Sequence, residues 1–116
     1  MTNKVGEHMA ILREMNDLYN RKNRDYGDSF HETFMEEGFA MARIRLSDKL
    51  NRFKRLTRGA YEAKITDESM RDTLIDLANY AVMTIMEIDA TTAQHKEADN
   101  RELAYKATLG VMRDGD

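Results

Sequence analysis

Apolar side chains return every three or four residues along most of the chain, with polar ones between them. Val5, Met9, Leu12, Met15 and Tyr19 do so from about Asn3 to Lys22, forming one face of an amphipathic helix. The stretch RKNRDYGDSF ends it, because Asp25, Gly27, Asp28 and Ser29 supply turn chemistry and Gly27 accepts a positive φ. A short helical piece, HETFMEE, follows and Gly38 terminates it. The cleanest stripe in the chain comes next: Phe39, Ala42, Leu46, Leu50 and Phe53, on a second main helix reaching about Thr57. Gly59 punctuates a connector to Thr66, which reads as an N-cap with Asp67 and Glu68 near the positive end of the helix dipole. The third main helix runs to at least Ile88, and Leu74, Leu77, Ala78, Ala81, Val82, Ile85 and Ile88 cover a broad apolar arc of it. The segment TTAQHKEADN then weakens the pattern before Leu103, Ala107 and Val111 mark a final helix, peripheral or at a subunit interface.

Composition agrees with this helical reading. The chain has no Pro and six Gly, is rich in Ala, Leu, Met, Glu, Lys and Arg, and holds no long β-branched run. Its 116 residues predict a single all-α domain, a four- to five-helix bundle over 1–116 with core helices at about 39–57 and 67–92. In that bundle the stripe Phe39, Ala42, Leu46, Leu50, Phe53 packs on the arc that includes Leu74, Leu77, Ala81 and Ile85. The absence of Cys removes disulfides, thiolate metal sites and Cys nucleophiles, requires no oxidising compartment and favours a cytoplasmic location. Charge enters every turn of the N-terminal segment, which reads as neither a signal peptide nor a membrane span, so no membrane partner is expected. A net charge of −3 disfavours nucleic acid as a partner, although basic residues cluster locally.

Candidate chemistry is concentrated on the second and third main helices. Asp72, Asp76 and Asn79 line up beside the apolar arc. Two carboxylates one turn apart repel each other unless they are solvated or bridged by a cation, and Mg²⁺ takes a few carboxylates with water and phosphate oxygens. In ARIRLSDKLNRFKRL, Arg45, Asp48, Lys49, Arg52 and Arg55 lie off the apolar stripe, one acid among bases suited to phosphate. The plainer reading is a solvated polar face, with Asp48 and Arg52 an i,i+4 pair worth a few tenths of a kcal/mol. His8, His31 and His95 are dispersed and read as surface residues, and the methionines as adaptable packing. RDYGDSF is too poor in glycine for a phosphate-cradling loop, though Tyr26 and Phe30 can stack on a base.

DYGDSF, RIRLSDKLNRFKRLT and DESMRDTLIDLANYAVMTIMEI together resemble a phage and prophage family, the nucleotide-modification-associated domain of the first class, over about Tyr19 to Ile88. That resemblance implies a role in nucleotide or modified-DNA metabolism, in the host cytoplasm if the protein is phage-encoded. LSDKLNRF and DTLIDLANYAV are also similar to the two acidic motifs of the MazG-like all-α nucleoside triphosphate pyrophosphatases, Glu-x-x-Glu and Glu-x-x-Asp. In this register Asp48 matches the second acid of the first motif, Asp76 the final Asp of the second, and Tyr80 the Tyr after it. Asp72 is one residue from the remaining acidic position, while Arg45 and Thr73 stand where those enzymes carry Glu. Glu36 and Glu37 precede the helix and rank below the three aspartates.

The likeness implies Mg²⁺-dependent hydrolysis of a nucleoside triphosphate to monophosphate and pyrophosphate. Asp48 and Asp76 would be catalytic, and Asp48, Asp72 and Asp76 would hold the metal. Arg45, Lys49 and Arg52 would neutralise phosphate charge, Asn79 would hydrogen-bond base or sugar, Tyr26 would stack, and Tyr80 would contact the substrate. Related folds form homodimers or larger assemblies, so self-association is expected. Two other classes fit the same residues. One is a non-catalytic protein that sequesters a signalling nucleotide. The other is a helical nucleic-acid or protein interaction module built on Arg43, Arg45, Lys49, Arg52, Lys54, Arg55 and Arg58.

Overall fold

Capping and glycine chemistry set the boundaries of the N-terminal helices. In the computed structural model, which describes residues 3–58 and 67–114, Asn3 accepts the Gly6 N–H through its side-chain oxygen at 3.1 Å and starts α1 (Lys4–Tyr26). α1 runs a turn past the expected end at Lys22, because nothing between Arg21 and Tyr26 breaks a helix until Gly27. α2 (Ser29–Glu37) and α3 (Phe39–Leu56) follow, separated by Gly38. Gly27 (φ 67°, ψ −162°) and Gly38 (φ 66°, ψ −151°) both occupy a backbone region essentially closed to other residues. A Cβ at Gly38 would meet nothing within 4 Å. Gly38→Ala is therefore expected to destabilise by roughly 1–3 kcal/mol through backbone strain alone, measured by urea unfolding. An unchanged midpoint would show that the α2–α3 turn adapts.

α4 (Asp67–Asp114) departs from expectation. The third and final predicted helices are one continuous helix of 48 residues. TTAQHKEADN contains neither Gly nor Pro, so the apolar period fades there without any residue that interrupts the backbone hydrogen bonds. Ion pairs one turn apart, Glu97–Arg101 and Glu102–Lys106, add modest support beyond it. The predicted connector at Gly59, the Thr66 cap and the Val111 side chain lie outside the described residues. Among the described residues the chain is all-helical, with four helices and no strand. No helix among them is long and apolar enough to cross a membrane.

The chain divides into two compact units, residues 1–84 and 85–116. The second unit is helical through Asp114, with Ile85, Met86, Ile88, Leu103, Tyr105 and Leu109 all exposed. In the first unit, the buried apolar residues are Met15 of α1, Phe34 of α2, Met41 and Ala42 of α3, and Ile75 of α4. α2 packs on α3, and the rings of Phe34 and Phe39 meet edge to face at 5.2 Å.

This core is not the one the stripes predict. On α3 Ala42 is buried and Leu46 and Phe53 half-buried, but Phe39 and Leu50 are exposed. On α4 the covered face carries Thr73, Asp76, Leu77, Tyr80 and Met83, whereas Leu74 and Val82, each 44% exposed, and Ala81 face outward. Polar and aromatic partners on the other helices account for the orientation. α4 is tied to α1 by Asn79–Met15 and Arg71–Glu14, to α2 by Tyr80–Phe30, and to α3 by Arg52–Thr73. Long side chains span these joints, and cavities lie between the helices they join.

Candidate functional site

Three cavities open on the inner face of α4. The first, about 360 Å³, lies between α1, the start of α2 and α4 and is lined by Tyr19, Lys22, Asn23, Tyr26, Phe30, Asp76, Asn79 and Tyr80, among others. Four of its eleven lining residues are aromatic, Tyr19, Tyr26, Phe30 and Tyr80, and the rings of Phe30 and Tyr80 lie 6.0 Å apart and tilted by 30°. The second, about 270 Å³, is lined by Arg45, Asp48, Lys49, Arg52, Arg55 and Tyr80. Four bases face one acid there. The third, about 310 Å³, is lined by Glu14, Leu18, Arg21, Lys22, Asp72, Ile75 and Asp76.

Several of these side chains are fixed by partners on other helices. Asn79 donates its amide to the Met15 carbonyl at 3.2 Å, which orients it in the aromatic cavity. Arg52 donates from Nε to Thr73 Oγ1 at 3.2 Å, and that hydroxyl donates to the Ser69 carbonyl at 2.8 Å. Thr73, 3% exposed, thus braces an arginine of the basic cavity. Asp76 takes Lys22 Nζ at 3.5 Å on one oxygen and Lys49 Nζ at 3.1 Å on the other, with its side chain 25% exposed. Beside the third cavity Arg71 binds Glu14 through both carboxylate oxygens. The hydrogen bond from Arg71 is the main reason the Glu14 carboxyl is held below its ordinary range.

The predicted site residues separate into groups. Arg45, Asp48, Lys49, Arg52 and Tyr80 share the basic cavity, and Tyr26, Asp76, Asn79 and Tyr80 share the aromatic one. Asp72 joins Asp76 only in the third cavity. Among the described residues no group of three or more acidic or imidazole side chains gathers that could hold a metal ion. Asp48 sits among bases and Asp76 is paired with two ammonium groups, so Asp48, Asp72 and Asp76 do not converge as one Mg²⁺ donor set.

The family described as nucleotide modification associated domain 1 matches residues 22–88, more than half of the chain. The chain belongs to this family. In this nucleotide modification associated domain the matched stretch includes every residue that lines the basic cavity, and all but Tyr19 of the aromatic residues lining the first. No curated protein and no solved structure matches the chain, so the MazG-like register rests on its motifs alone.

Sequence reasoning missed Lys22 and Tyr19 as site residues. Tyr19, Lys22, Asn23 and Tyr26 recur at helical spacing and form one aromatic–polar face, which could have shown them. Ending the first helix at Lys22 hid that face, since Tyr26 then fell in a turn.

Proposed function

We propose that this nucleotide modification associated domain binds a nucleoside polyphosphate without a metal ion, holding the nucleoside in the aromatic cavity and the phosphates in the basic one. The observation that carries this reading is Tyr80, which lines both cavities and so sets them side by side, within reach of the two ends of one ligand. The aromatic cavity falls within the roughly 300–1,000 Å³ typical of small-molecule sites. Tyr26, Phe30 and Tyr80 offer π-faces to a base, and the oriented Asn79 amide offers it a hydrogen bond. Arg45, Lys49, Arg52 and Arg55 suit an extended anion, and Arg52 is already held in place by Thr73. The family description supports a nucleotide ligand.

Sequestration is favoured over pyrophosphohydrolysis by the same residues. A hydrolase of the MazG-like kind needs acids that converge on a cation, and here the candidate acids are divided between cavities or bound by lysines. Calorimetric titration with nucleoside triphosphates, in EDTA and then in Mg²⁺, tests the proposal. Binding is expected to persist in EDTA with no product formed. Arg52→Ala should weaken it by roughly tenfold or more, the worth of a charge-assisted hydrogen bond. Mg²⁺-dependent release of pyrophosphate would restore the hydrolase, and absence of binding would refute the nucleotide reading.

A further inference from the structure

One carboxylate on α4 reaches two other helices at once. Asp76 holds Lys22 of α1 on one oxygen and Lys49 of α3 on the other. Lys49 lines the basic cavity, whereas Asp76 and Lys22 line the aromatic one. The Asp76–Lys49 contact therefore links the two cavities, and Tyr80, one turn along α4 from Asp76, lines both.

A carboxylate between two ammonium groups presents to each what a phosphate oxygen would present: negative charge and acceptor lone pairs. We propose that Asp76 is a positioning residue, an internal stand-in for the ligand's anionic group, which holds Lys22 and Lys49 in the free protein and yields Lys49 to an incoming phosphate. The idea rests on the nucleotide-binding reading above and gives Asp76 a role opposite to that of a metal ligand. Competition between Asp76 and the phosphate for Lys49 sets a threshold on affinity. Lys22, by sharing the carboxylate, loosens its grip on Lys49. The joint is partly exposed, with side chains 58%, 28% and 25% accessible for Lys22, Lys49 and Asp76, so exchange of partners needs no opening of the core.

The mutational sign separates the roles. Inorganic pyrophosphate is titrated calorimetrically in EDTA at low salt into the wild-type protein, Asp76→Asn and Asp72→Asn. Asp76→Asn is expected to bind pyrophosphate roughly two- to fivefold more tightly, the scale of a partly exposed ion pair. Asp72→Asn removes an equal charge from the adjoining cavity without freeing Lys49, and should gain less. Equal or weaker binding by Asp76→Asn overturns the proposal, as does an equal gain in Asp72→Asn, which would show that net charge alone is at work. Should circular dichroism show Asp76→Asn unfolded, Lys22→Gln decides the matter. It leaves Asp76 to Lys49 alone and should weaken pyrophosphate binding more than Arg21→Gln, which removes a neighbouring charge of the same sign. No difference between those two overturns the proposal.

A parallel titration with a nucleoside triphosphate keeps this inference distinct from the reading it rests on. Pyrophosphate binding with the expected order of variants but no nucleotide binding sinks the nucleotide reading and leaves the stand-in. Nucleotide binding without that order does the reverse. Binding of neither ligand overturns both.

Discussion

Phe34→Ala is expected to leave much of the chain unfolded at room temperature. Truncating a buried Phe costs about 3–5 kcal/mol, and domains have only about 5–15 kcal/mol of stability in total. This chain begins with little in reserve, because only Met15, Phe34, Met41, Ala42 and Ile75 are buried apolar residues among those described. The Phe34 ring also meets Phe39 edge to face at 5.2 Å, so it joins the two helices across the α2–α3 turn as well as filling the core. Urea unfolding followed by circular dichroism measures the loss. Leu46→Ala, at a half-buried site on the predicted stripe, should cost clearly less. Equal losses in the two variants would place the core on the stripe that periodicity favours and away from α2.

Local signals were legible where they act locally. α3 begins and ends within a residue of its predicted bounds, because Gly38 stops α2 and an unbroken stripe carries the helix onward. The fading of the stripe after Ile88 was misread as a break, since periodicity reports which side is covered and not whether the backbone continues. The α4 arc shows the same limit. Leu74, Ala81 and Val82 do form an apolar face, but the polar face carrying Thr73, Asp76, Asn79 and Tyr80 is the one that docks inside the chain. In the site, residue types on α3 pointed to the basic cavity. The state of Asp76 could not be read from spacing, because its partners come from two other helices and turn a candidate metal ligand into an ion-paired anion.

That outward apolar face is the basis of the last expectation, that the protein self-associates at micromolar concentration. Five buried apolar residues among those described are a thin core, and the exposed apolar side chains offer further burial. Leu74, Ala81 and Val82 share one side of α4 and carry no charge, so a two-fold pairing through them opposes no like charges and lets small Ala81 admit a close approach. Burying them on a second copy adds roughly 25 cal/mol for each Å² of apolar surface covered. Sedimentation of the wild-type protein is expected to show a dimer or larger closed assembly. Leu74→Glu or Val82→Glu would place two carboxylates across the symmetric contact and should dissociate it while leaving the α2–α3 packing intact, so that stability becomes independent of protein concentration. A wild-type monomer at micromolar concentration sinks this expectation. Dissociation by Leu50→Glu, an exposed α3 position, but by neither α4 variant would move the contact to the other helix.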